Sequence, residues 1–263
     1  MSKLIQPIMF LAAASLALAQ QPPAPPPQSQ VKAAKGVSKD EANAFNAIVK
    51  AQTPEDKMKA ADEFVVKFAD SQFKGIALYD AAEAADQKGD YQKAIIYGDE
   101  SLQADGTNFD AKLLVAGELA QHTRENDLDK DEKLTKAEKY TNEALGQIPT
   151  AAKPQPSIKD DQWEIYKKYA SARAHYDLGL IALARKKPDV EITEFKSAVD
   201  LSTPPDPVWQ ARLASAYNDA GKPDEALAEA NKVLAIDNLN PAIKNFAQTQ
   251  KTRAEGALKG KSK

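Results

Sequence analysis

Apolar and small residues recur three and four positions apart in short blocks, the spacing that lines one stripe of a helix. Ala44, Ala47, Ile48 and Ala51 form the first stripe, and Met58, Ala61, Phe64, Val65 and Phe68 the second. Leu78, Ala81, Ala82 and Ala85 follow, then Ala94, Ile95, Tyr97, Ser101 and Leu102. Start signals stand where the stripes restart. Ser38 with Glu41 three residues on is a capping box, and Thr53-Pro54 sets a cap before a proline at the first helical position. Gly89-Asp90-Tyr91 reads as a turn between helices. Ser157, with Asp160 three on, predicts a long helix reaching about Arg185, roughly 26 residues against an ordinary helix of about 12. Asn240-Pro241 opens the last helix.

The blocks repeat. Ala60 and Ala94 set a 34-residue period. Ala137, Ala144 and Leu145 carry it on after an insertion, followed by Glu191, Phe195, Ala198 and Val199, then Ala226, Ala230 and Val233. A two-helix unit cannot bury its apolar face alone, so neighbours must stack. The expected fold is all-α: an α-solenoid of stacked antiparallel helix pairs, about five repeats and a C-terminal capping helix. The repeats fall near 41–74, 75–108, 109–151, 157–206 and 207–240, with the cap at 241–258 and a basic tail at 259–263. Thr123 to Thr135 is a charged insertion, and Thr150 to Pro156 a proline-containing linker. Ile243, Phe246, Ala247 and Ala254 give the cap one apolar side, while Lys244, Lys251, Arg253 and Lys259 keep the other wet.

Three stretches carry a more specific signal. Gly89-Asp90-Tyr91-Gln92-Lys93-Ala94-Ile95, with Leu102 and Asp105, resembles the tetratricopeptide (TPR) repeat. So do Leu178-Gly179 with Phe195 and Ala198, and Leu213-Ala214-Ser215-Ala216-Tyr217 followed by Gly221-Lys222-Pro223-Asp224-Glu225-Ala226. The family pattern wants small residues at its eighth position, filled by Ala82, Gly179 and Ala214, and at its twentieth, filled by Ala60, Ala94, Ala137 and Ala226. Helix axes that approach to about 8–10 Å need one small partner at each crossing. Glu191 departs from the pattern in the fourth copy. The resemblance covers about residues 41 to 240 and implies a concave face that binds peptides. It also implies that the fifth positions (Phe45, Tyr79, Leu113, Tyr176, Ala211) and ninth positions (Val49, Glu83, Gly117, Leu180, Ser215) line that face. The Lys/Asn clamp with which some TPR domains hold a terminal carboxylate is missing from these places. The Phe64 to Phe73 stretch is similar to repeats of bacterial envelope TPR proteins.

Composition narrows the field. Apolar residues are 43% and charged residues 28%, ordinary for a folded domain, and the net charge of −3 with no basic block does not favour nucleic acid. There are no cysteines, which removes disulfides, thiolate metal sites and thiol catalysis. At the start, Lys3, an apolar run from Ile8 to Ala19 and Ala17-Leu18-Ala19 form a secretory signal peptide over residues 1–19. The run is shorter than the roughly 20 apolar residues of a membrane span, and no lipoprotein cysteine follows. Residues 20–37, rich in Pro and Gln, predict a disordered linker. The expected location is periplasmic or secreted, with no stable membrane span after cleavage.

Two constellations are candidate sites. Asp127, Asp129, Asp131 and Glu138 fall at positions of an EF-hand calcium loop, but Glu132 stands where the sharp turn needs Gly, and Lys130 and Lys133 lie inside the cage. The plainer reading is a solvated, charge-balanced turn, and calcium is kept only as a weak alternative. Tyr166, Tyr169, Arg173 and Tyr176 share one face of the long helix and, with Tyr79, Glu83 and Leu180, make a candidate partner-binding groove. The competing reading packs these rings into the core. With His122 and His175 as the only histidines and no GxSxG or HExxH, no catalytic residue or cofactor is expected. The expected function is a non-catalytic protein–protein interaction scaffold of the bacterial cell envelope. The alternatives are a calcium-responsive module and a self-assembling structural protein.

Overall fold

The computed structural model describes residues 36–261. The signal peptide, the linker up to residue 35 and the last two residues of the tail lie outside it. Eleven α-helices run through the described residues: α1 Lys39–Lys50, α2 Pro54–Lys67, α3 Lys74–Gln87, α4 Tyr91–Ala104, α5 Phe109–His122, α6 Lys130–Gln147, α7 Asp160–Ala184, α8 Pro188–Leu201, α9 Pro207–Asp219, α10 Pro223–Leu234 and α11 Pro241–Lys261. A single 3-10 turn, Ile148–Thr150, follows α6. There is no strand among the described residues. The fold is an all-α solenoid of antiparallel helix pairs, each helix packed on the next.

The helix starts follow local chemistry. The Ser38 hydroxyl accepts from the Glu41 amide at 3.0 Å, and Thr53 accepts from the Asp56 amide at 3.1 Å. The capping box at α1 is only half made, because the Glu41 carboxylate accepts instead from the Ser71 hydroxyl at 2.6 Å and ties α1 to the α2–α3 turn. The Val37 side chain, at the end of the expected linker, is already buried. The long helix begins at Asp160 and not at Ser157. Lys153 takes the Asp160 carboxylate at 2.5 Å, and Ile158 is buried with Ile148 beneath Trp163, so the chain before Asp160 is held in a packed loop. At the other end, α11 continues through Lys261, into the residues read as a tail.

Three of the turns inside the pairs, α3–α4, α7–α8 and α9–α10, share one device. Gly89, Lys186 and Gly221 all have positive φ, of 73°, 57° and 69°. One residue on, the amides of Asp90, Lys187 and Lys222 reach back to the carbonyls of Ala85, Ala182 and Tyr217, each at 2.9 Å. That is the Schellman stop, which satisfies end carbonyls and reverses the chain. The crossings are as tight as the small residues imply. A Cβ on Gly179 would stand 2.4 Å from the Phe195 ring, and one on Gly98 would stand 2.4 Å from Val115. Ala82, Ala94, Ala137, Ala214 and Ala226 are fully buried.

Glu191, the departure from the small-residue pattern, is buried too. Burial raises its carboxyl to about 7, with Asp219 adding to the shift and Arg212 opposing it.

The array is curved. The odd-numbered helices touch one another from pair to pair, α1 with α3, α3 with α5, α5 with α7 and α9 with α11. Among the described residues no even-numbered helix packs closely on another even-numbered one. The odd helices therefore line the inner, concave side. At the break in the period, the first half of α7 forms an extra layer, with Trp163, Tyr166 and Ala170 packed on Phe109, Leu113 and Ala144. The charged insertion is stitched down: Glu125 pairs with Lys130 at 2.7 Å and with Lys186 at 2.6 Å, which hold its carboxyl at about 2.

Candidate functional site

Arg173 stands at the centre of the concave floor. It lies on the inner face of α7, partly open to water yet enclosed on its other sides. Burial acts to lower its pKa, but its neighbours, Asp177 first, then Tyr169, Tyr79 and Asp86, more than reverse this and hold it charged.

Around it gather side chains from three helices. From α3, the Tyr79 hydroxyl donates to Glu83 at 3.0 Å. From α7, the Tyr166 hydroxyl donates to Asp110 of α5 at 2.7 Å. The two tyrosines thereby fix two carboxylates facing the same guanidinium. Burial raises the carboxyls of Glu83 and Asp110, the latter to about 6. Asp86 is open to water on one side, and burial, with Glu118 next to it, raises its carboxyl to about 6. Glu118 also lies 3.4 Å from His122, whose ring stacks on Tyr91 at 4.1 Å.

Asp177 sits beneath this floor. It is 1% exposed, and its Oδ2 has no hydrogen-bond partner. Its carboxylate points at α5, where a Cβ on Gly117 would stand 3.2 Å from Oδ1, so the glycine makes room for it. Burial is the main cause that raises it to about 7; Arg173 opposes the shift and Glu118 adds to it. A buried oxygen left unmade costs about 1–3 kcal/mol, so this group is a burden on the fold.

The candidate residues divide between floor and core. Glu83, Tyr169 and Arg173 come together on the floor, with Tyr169 half-buried. The Tyr79 and Tyr166 rings are buried in the hydrophobic core, and only their hydroxyls reach the floor carboxylates. Tyr176 and Leu180 belong to the hydrophobic core. Tyr176 stacks on Trp209 of α9, as does Tyr169, with ring centroids 5.6 and 5.7 Å apart. Trp209 is thus the wedge between α7 and α9. Of the remaining fifth positions, Phe45, Leu113 and Ala211 are buried in packing.

Asp86, Asp110, Glu118, Asp177 and Trp209 were not singled out from the sequence. Asp110 and Arg173 occupy second positions, and Asp86 a twelfth, of the repeat pattern. Glu118 and Asp177 occupy tenth and sixth positions, and only the α5–α7 contact brings them in.

The acidic stretch is arranged differently. Residues from Lys130 onward are helical, so Asp131 and Glu138 lie on α6 and not in a loop. Lys133 pairs with Asp127 at 3.3 Å and Asp129 at 2.9 Å, and Arg185 takes Glu138 at 2.6 Å. No group of three or more His, Asp or Glu converges as a metal cage among the described residues.

A curved all-α solenoid with a chemically distinct inner face defines the TPR-like class of helical repeat proteins. The structure is similar to the crystal structure of a thermophilic TPR protein of Thermus thermophilus, with a TM-score of 0.53 and 17% sequence identity over 83% of this chain and 98% of that one. That likeness shows the fold. No family model matches the sequence. No curated protein matches it either.

Proposed function

We propose that this protein is an exported, non-catalytic scaffold that holds an extended peptide or helix of an envelope protein against its concave floor. One observation carries the reading: charged and aromatic side chains of α3, α5 and α7 concentrate on the floor around Arg173, which stays partly open to water among them. Charged groups with shifted pKa values gathered in a concavity are expected where a ligand binds. Helical-repeat proteins use their inner surface in this way. The envelope location rests on Lys3, the Ile8–Ala19 run and the Ala17-Leu18-Ala19 cleavage site. Mass analysis of the mature exported chain should give Gln20 as its first residue; a chain retaining Met1 would contradict export by this route.

The binding reading is tested by pull-down with chemical crosslinking from envelope extract, comparing the wild type with Tyr169→Ala/Arg173→Ala. The variant should lose the partner while keeping its helical melt. Equal capture by both would sink the groove as the binding face.

A further inference from the structure

We propose that the seam between α5 and α7 is a pH-sensitive joint, shut while Asp177 keeps its proton and loosened once the proton leaves. The joint is independent of what the floor binds. Asp177 is 1% exposed, its Oδ2 has no hydrogen bond, and its Oδ1 would stand 3.2 Å from a Cβ on Gly117 of the facing helix. A neutral carboxylic acid can occupy such a place, but a carboxylate there needs water or a cation. At that exposure, water reaches it only when the packed helices part.

The surrounding charges set the direction of the motion. Arg173, one turn earlier on α7, favours the carboxylate, but it does not hydrogen-bond Oδ2. Glu118, next to Gly117 on α5, opposes it from across the seam. Glu118 in turn has Asp86 of α3 beside it and His122 at 3.4 Å. Tyr169 and Tyr176 of α7 lie in the field of Asp177, and also in that of Asp206 of α9, with Arg212 of α9 acting on Tyr176. The charges that α6 and α8 bring to α7 pair elsewhere on it, Glu138 with Arg185 and Glu194 with His175. Once ionised, Asp177 and Glu118 are like charges on facing helices, which repel. Trp163, Tyr166 and Ala170 clamp the first half of α7, so the parting falls at Gly117 and Asp177 and shifts Arg173 with it. The shut seam holds the proton up to about 7, whereas an open one holds it only to about 3.9. Opening therefore grows about tenfold per pH unit between these values and levels off above about 7.

The test is backbone hydrogen exchange of the mature protein across this pH range, corrected for the intrinsic exchange rate at each pH. Protection over 115–121 of α5 and 173–181 of α7 should fall about tenfold per pH unit from about 5 to about 7, then hold steady. Helices α1, α2 and α11 should keep theirs. Asp177→Asn cannot ionise, so protection over the same two segments should be flat with pH. Glu191→Gln removes a buried carboxyl on α8 that also titrates near neutral pH, and should retain the fall. Flat protection in the wild type overturns the inference, because Arg173 then absorbs the charge with the seam shut. An equal fall in Asp177→Asn overturns it by placing the trigger on another group. A fall spread evenly over all the helices overturns it by showing loss of the whole fold. If Asp177→Asn does not fold, the wild-type profile, confined to the seam or spread over the chain, decides alone.

Discussion

Asp177 shows how a single buried group links the floor to stability. Its carboxyl holds a proton up to about 7 in the fold, whereas in an unfolded chain it ionises near 3.9. Between those values the folded chain binds the extra proton, so its stability falls as pH rises from about 4 to about 7 and stays lowered above that. Arg173 eases the burden and Glu118 adds to it. Asp177→Asn removes the ionisation. It should therefore stabilise the protein by about 1–3 kcal/mol at pH about 8, and by clearly less at pH about 5. Thermal melts at the two pH values check this, and an equal gain at both would show that the group is not buried as described. Gly179 is the opposite case, where any added atom harms. A Cβ there meets the Phe195 ring at 2.4 Å, so Gly179→Ala should cost about 1–3 kcal/mol through overpacking. An unchanged melting temperature would place that helix crossing elsewhere.

Three of the turns between paired helices use a left-handed residue. Gly89 and Gly221 take that conformation at little cost, but Lys186 takes it with a Cβ. Lys186→Gly should raise stability by about 0.5–1 kcal/mol in chemical denaturation, since the exposed pair with Glu125 that it loses is worth little. A loss of stability would mean that the Glu125 contact matters more than the backbone. Helices, small-residue crossings and the Gly89 and Gly221 turns were legible in the sequence because each depends on neighbours in the chain. The Lys186 turn was hidden, having no glycine to mark it. The start of α7 was misplaced because Ser157 and Asp160 imitate a cap, while Lys153 and the packed Ile158 decide where the helix begins. Half of the site was legible for the same reason: Tyr166, Tyr169 and Arg173 share one helix face. Of the carboxylates, Glu83 was legible at its ninth position, but Asp110 and Asp177 were not, since they come from two other helices and meet it only through the curvature of the array.

At the scale of the whole molecule, the break in the period is what shapes the floor. The insertion and the long α7 allow Trp163, Tyr166 and Ala170 to add a layer on α5, and they bring Arg173 against side chains of α3. Among the described residues the outer helices pair their polar groups with one another, Tyr97 with Asp62 at 3.0 Å and Lys136 with Asp99 at 2.5 Å, and their large exposed apolar residues, such as Val66, Ile96 and Leu128, stand apart on α2, α4 and the insertion. That asymmetry between inner and outer faces is the central claim. It is tested most directly by placing a photo-crosslinking amino acid at Asp86, on the concave floor, or at Val66, 83% exposed on the outer helix α2. With the partner present, a discrete adduct should form from position 86 and not from position 66. An adduct from position 66 with none from position 86 would contradict the concave floor as the binding face.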